Sequence, residues 1–135
     1  MYLALVEGRL EPAQGRIEAP IGRDKRRRKQ MAVVRSGRQA STDYRVLERF
    51  AEHTLVEVYP QTGRTHQIRV HLAFIGHPVV GDKVYGYRRQ RLRLGRQFLH
   101  AQTLRFRLPS TGEVVEFHSP LPHDLRQVLA DLRVG

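Results

Sequence analysis

The chain has 135 residues, 40% of them hydrophobic, which suffices for one small domain with a modest core or for part of a larger one. Its 24 Lys+Arg against 13 Asp+Glu leave a formal charge of +11, which points to a polyanionic partner: nucleic acid first, with a merely solvated basic surface or an anionic membrane as the competing explanations. The absence of cysteine excludes disulfides and thiolate metal sites, no run is apolar enough for a membrane-spanning helix, and Met1 to Glu7 is too short and wrongly flanked for a signal peptide, so the expected location is the cytoplasm.

In chain order, Tyr2 to Val6 reads as a strand that starts with no preceding turn or cap, as at a cut. A strand beside missing neighbours would leave an open sheet edge, so self-association through that edge is expected. After the Pro12-Ala13-Gln14-Gly15 turn comes a strand from Arg16 to Ile21, with Met31 to Val34 pairing to it across the basic loop Gly22 to Gln30. Thr42 to Phe50 and Thr54 to Tyr59 make two more strands around Ala51-Glu52-His53. In the second, Leu55 and Glu57 share one face and Val56 and Val58 the other, so alternation is partial and the strand should be well buried.

A helix is expected from about Thr65 to Ile75, with Ile68, Leu72 and Ile75 on an apolar stripe, Gly76 as its C-terminal cap and Pro78 barring continuation. Strands at Leu104 to Leu108 and Val114 to Phe117 flank the Pro109-Ser110-Thr111-Gly112 turn as a hairpin, and a short helix runs from Asp124 to Leu132. Many strands, few helices and no β-α-β rhythm predict an α+β fold on a largely antiparallel mixed sheet. No repeat or linker divides residues 1–135.

Arg64 stands at a strand-to-helix junction just after the Thr62-Gly63 turn, where a guanidinium could be presented to a carboxylate or phosphate in a geometry lysine would not reproduce. Spacing alone favours an ordinary surface arginine. Ile68 lies one helical turn on, on the same face, where plain core packing is the other reading. His66, His71 and His77 are close in sequence, but the first two are not at the i, i+4 spacing of a helical metal pair, so hydrogen-bonding or RNA-contacting roles are expected and no metal. The positive charge collects in two loops: Arg23, Lys25, Arg26, Arg27, Arg28 and Lys29, then Arg88, Arg89, Arg91, Arg93 and Arg96. Both suit salt-dependent phosphate contacts, and Tyr85 and Tyr87 beside the second could stack on bases.

The run Tyr59-Pro60-Gln61-Thr62-Gly63-Arg64-Thr65-His66-Gln67-Ile68-Arg69-Val70-His71-Leu72, continuing to Gly81-Asp82, closely resembles the C-terminal signature of the RluA/RluD family of RNA pseudouridine synthases. The resemblance extends from Tyr2 to about Asp124 and implies a partial pseudouridine synthase fold, with residues 1–135 the C-terminal portion of the catalytic domain. It implies isomerisation of uridine in RNA, ribosomal RNA among the candidates, without a cofactor: the glycosidic C–N bond breaks, the base turns, and a C–C bond forms. Under it Arg64 is the basic residue that pairs with the catalytic aspartate, and Ile68 lines the uracil pocket. Tyr2, opening a Tyr-x-Ala-x-Val-x-Gly strand, stacks against the flipped uridine. His100-Ala101 matches a Leu-His-Ala landmark of structural character.

One part is missing. The family's aspartate belongs to a Gly-Arg-Leu-Asp segment upstream of the Tyr2 strand and is not in this chain. Glu11 in Gly8-Arg9-Leu10-Glu11 is no substitute, because Gly8 ends the strand motif and places Glu11 in a loop beside Pro12. Asp82 matches a residue of structural character. The expected reading is therefore a synthase fragment that binds RNA and is inactive alone. The alternative is a non-catalytic basic RNA-binding protein.

Overall fold

The computed structural model describes residues 1–135. A five-stranded sheet forms from β1 (Tyr2–Glu7), β2 (Gln14–Glu18), β5 (Ser41–Arg49), β6 (His53–Pro60) and β7 (Leu99–Ala101), in the order β2-β5-β6-β1-β7. Every neighbouring pair in it is antiparallel. Two small antiparallel ribbons complete the strands: β3 (Ile21–Arg23) with β4 (Met31–Val33), and β8 (Thr103–Arg107) with β9 (Val114–His118). With only two helices, α1 (Gln67–Phe74) and α2 (His123–Val134), the architecture is the α+β class expected.

β1 is an interior strand, which corrects the expectation of an open edge at Tyr2 to Val6. Tyr2 to Glu7 pair with Val58 to His53 on one side, and Tyr2 to Ala4 pair with Ala101 to Leu99 on the other. Beyond β7 the irregular segment before it takes over: the amides of Leu5 and Glu7 donate to the carbonyls of Phe98 and Pro78, and Val80 donates to Leu5. Leu3 to Glu7 are accordingly all buried. The strand read from Arg16 to Ile21 is in fact two strands in two sheets, β2 on β5 and β3 on β4. Pro20 lies at the break, where its missing N–H could not serve a continuous ladder.

The core is one cluster of 17 buried residues between the sheet and the helices, with Leu5, Val56, Val58, Leu72 and Phe98 almost wholly hidden from solvent. α2 adds Leu125, Val128 and Leu129, a spacing that brings all three to one face. α1 begins two residues later than the pattern predicts, because His66 has φ 55° and cannot continue a right-handed helix. Its end is as expected, with Gly76 at φ 87° receiving the turn. Gly81 is required for a different reason: a Cβ there would lie 2.1 Å from the Arg96 carbonyl oxygen, so the segment after α1 could not close on the segment before β7. No helix is long and apolar enough to cross a membrane.

Candidate active site and RNA interface

The strand β6 ends at Pro60, and the six residues before α1 turn back over the sheet. What holds this turn is a buried amide. Gln67 accepts from the Thr62 hydroxyl (2.6 Å) and the Arg64 backbone N–H (3.1 Å) through Oε1, and its Nε2 donates to the Ser41 carbonyl (2.9 Å) and Thr42 Oγ1 (2.8 Å). Thr42 then bonds His71 Nδ1 at 2.8 Å, and His71 Nε2 reaches the Ala19 carbonyl at 2.9 Å. A carbonyl can only accept, so Nε2 carries the imidazole proton, and the Thr42 hydroxyl donates to Nδ1. Burial holds the His71 pKa below the usual histidine value, against the smaller opposing effect of the Ala19 carbonyl, and so favours this neutral form.

On the other side of the turn a cavity of about 360 Å³ opens to solvent. Tyr2 from β1, Arg64 from the turn, Ile68 from α1 and Leu99 from β7 line it, so three elements bring together the three residues singled out from the sequence. Ile68 serves both readings, being 7% exposed in the main core and also part of the cavity wall. The Arg64 guanidinium uses Nε to reach the Gln39 carbonyl at 2.9 Å, which fixes its direction and leaves both Nη groups for another partner. None of the ten lining residues is acidic. Gly63 also lines the cavity, and a Cβ there would meet no atom within 4 Å.

The acids weighed in the sequence point elsewhere. Asp82 is fully buried and holds Arg69 in a two-pronged pair at 2.7 and 2.9 Å, while its Oδ1 also accepts from the amides of Val84 and Tyr85 at 3.0 Å. Burial would raise its pKa, but Arg69 and the two amides together outweigh burial and hold it below the usual carboxylate value. Glu11 is exposed and has only a loose pair with Arg9. Asp82 is therefore structural, and neither acid faces the cavity.

Tyr85 is corrected from a free stacking surface to a fixed part of this arrangement. Its hydroxyl accepts the Met31 N–H (3.0 Å) and meets His66 Nδ1 (2.7 Å), and Arg69 sits 5.0 Å over its ring. Tyr87 is exposed and remains available. Of the two basic loops, Lys25 to Lys29 are all solvent-exposed at the tip of the β3–β4 ribbon, shaped by Asp24, whose Oδ1 accepts the amides of Arg26 and Arg27. The second loop is less free: Arg91 pairs with Glu52, and Arg96 holds Asp124 at 2.9 and 3.0 Å. Arg88, Arg89 and Arg93 form no such pair and are exposed.

Sequence reasoning passed over Gln67, Thr62 and Thr42; for His71 it expected a hydrogen-bonding or RNA-contacting role without indicating the partners, and the structure shows hydrogen bonding. A signal was present: Gln67 and His71 are four residues apart among the apolar positions of α1, the spacing of polar groups that share a buried face. His77 and His100 each bond a backbone carbonyl, of Glu7 (2.8 Å) and Ser119 (2.9 Å), in keeping with structural roles.

A sequence profile of RNA pseudouridylate synthase matches residues 1–74, more than half of the chain. The chain belongs to the RNA pseudouridylate synthase family. Among relatives, an "Uncharacterized RNA pseudouridine synthase" of Chloroflexus aurantiacus is 56% identical over 133 residues, covering 98% of this chain and 42% of the relative. The "Ribosomal large subunit pseudouridine synthase D" of Nitrosomonas europaea is 48% identical over 139 residues, covering 98% of this chain and 40% of its own. In structure, human RNA pseudouridylate synthase domain containing 1 superposes with a TM-score of 0.79 at 34% identity, covering 99% of this chain and 65% of that one. The chain thus spans less than half the length of these two bacterial relatives.

Proposed function

We propose that residues 1–135 are the C-terminal portion of a pseudouridine synthase catalytic domain, which binds RNA and supplies one side of the site that isomerises uridine to pseudouridine. The observation that carries this reading is the convergence of Tyr2, Arg64 and Ile68 on one open cavity with no acidic wall. In this reading Tyr2 offers an aromatic face to a base taken out of its stack, and Ile68 an apolar floor. Arg64, anchored through Nε, directs its remaining N–H groups at a carboxylate brought by other residues. The reaction conserves every atom: the C1′–N1 bond breaks and a C1′–C5 bond forms, while the proton lost from C5 is matched by one gained at N1. The exposed cations at 25–29 and Arg23, with Arg88 and Arg89, track the RNA backbone, and Arg91 joins them only by releasing Glu52. Ribosomal RNA is the proposed substrate class, on the strength of the name of the Nitrosomonas relative.

Incubation of this chain with unmodified ribosomal RNA tests the division of labour. Binding without pseudouridine formation is the expected result. Turnover that disappears on Glu11→Gln or Asp82→Asn would place the carboxylate within this chain and overturn it.

A further inference from the structure

Among non-glycine residues, only His66 has a positive φ, at 55°. That conformation is costly for a residue with a Cβ and survives where something else is gained. Helix capping is not the gain, because the His66 side chain makes no capping hydrogen bond to α1. Nor is core packing, since the residue is exposed on the cavity rim. Its one side-chain bond is from Nδ1 to the Tyr85 hydroxyl at 2.7 Å, with the rings edge to face at 5.6 Å.

Tyr85 is held from several sides. Arg69, itself locked to Asp82, covers its ring, and the ring packs against the small cluster of Ile21, Ala40 and Val70. Its oxygen accepts the Met31 N–H at 3.0 Å, and giving its own proton to His66 Nδ1 completes its bonding with one donor and one acceptor partner. The remaining proton of a neutral imidazole then sits on Nε2. Partial desolvation of the exposed ring where it packs beside Tyr85, and then the neighbouring Arg69 charge, hold the His66 pKa below its ordinary value, with Asp82 opposing more weakly. Nε2 has no partner within the chain, although the strained backbone and the fixed tyrosine define its direction.

We propose that His66 is a substrate-contacting hydrogen-bond donor, its Nε2–H offered at the cavity rim to an acceptor oxygen of the RNA, with Tyr85 as the residue that positions it. This rests on the reading of the cavity as an RNA site. A neutral donor between Arg64 and Arg69 differs from both in kind: it rewards an acceptor in one place without adding to the salt-dependent attraction of the backbone.

Two measurements on the 135-residue chain test it. Long-range 1H–15N spectra at neutral pH should show His66 as the Nε2–H tautomer, becoming a mixture in Tyr85→Phe. An Nδ1–H tautomer, or a spectrum indifferent to Tyr85→Phe, overturns the arrangement whatever the chain binds. Binding is then measured to a single-stranded oligouridylate and to the same strand with one abasic position at its centre. His66→Gly, which suits a φ of 55° and should melt no lower than the wild type, is expected to weaken oligouridylate binding roughly three- to tenfold with an unchanged salt slope.

Tyr85→Phe should lose part of that, and the double variant no more than His66→Gly. A loss confined to the strand with all its bases assigns a base carbonyl as the acceptor, and a loss on both strands assigns a phosphate oxygen. No loss on either, with wild-type binding intact, overturns the role of His66 and leaves the cavity reading standing. Failure of the wild type to bind either strand removes both.

Discussion

The turn from β6 into α1 has two faces that treat their polar groups in opposite ways. On the inner face, Gln67, Thr42 and His71 form a closed chain in which every donor has an acceptor. On the outer face, Arg64 and His66 each spend one side-chain bond on being aimed and keep other donors unused. Buried polar groups must be satisfied within the fold, whereas groups left open on a rigid rim are free to meet something else. The comparison teaches where each kind of substitution should register: inner-face changes in stability, outer-face changes in binding.

The largest expected effect lies in the support beneath both faces. Asp82→Ala strands a mostly buried Arg69 and should cost about 3 kcal/mol in urea unfolding, with Tyr85 loosened as a consequence. Next, Gln67→Leu leaves the Arg64 amide and Thr62 without their acceptor and should cost about 2 kcal/mol. Arg64→Ala, by contrast, should shift unfolding by less than about 0.5 kcal/mol while weakening RNA binding. Equal stability losses from Gln67→Leu and Arg64→Ala would erase the distinction between the faces.

Acid should act on the inner face. The fold keeps His71 free of its proton more firmly than the unfolded chain does, so this contribution is whole above the unfolded value near 6.5 and is lost as pH falls through the lower folded value. His53, buried beside Glu7 and likewise depressed by burial, acts with the same sign, while Glu7, raised by burial, acts with the opposite one. Melting temperatures between pH 7.5 and 5 should therefore fall more steeply for the wild type than for His71→Gln, by about one proton of linkage at most. Parallel curves would mean that His71 accepts a proton without disturbing its neighbours.

Much of the fold was legible because its signals are local. β5, β6, α1 and the β8–β9 hairpin follow from alternation, helical period and turn residues. What escaped depends on partners distant in sequence. β7 has three residues, too few to show a period, yet it closes the side of β1 that looked open. Pro20 did carry a readable break and was passed over. Of the site, Arg64, Tyr2 and Ile68 were accessible only through the resemblance to known synthases, since spacing leaves each with an ordinary structural reading. The engagement of Tyr85 with Met31, 54 residues away, has no trace in local sequence.

Smaller effects separate the two basic loops. Replacing Arg26, Arg27 and Arg28 by alanine should reduce the log–log salt slope of single-stranded RNA binding by about two units, because their guanidinium groups are exposed and Asp24 binds only backbone amides. The same treatment of Arg91 and Arg96 should change the slope less, as each already neutralises a carboxylate. Smallest in stability is the β8–β9 hairpin, where Phe106 and Phe117 stack at 5.8 Å and are 41% and 58% exposed. Serine at both positions should lower binding of a hydrophobic dye while moving the melting temperature little.

Photocrosslinking of 5-bromouridine RNA to this chain, with the modified residues located by mass spectrometry, reports which side chains lie against a bound uridine. The account predicts adducts at Tyr2 and within residues 62–69, reduced in Arg64→Ala, in addition to any at the basic loops. Adducts confined to residues 23–30 and 87–96 would contradict it and leave a basic RNA-binding protein whose cavity takes no uridine.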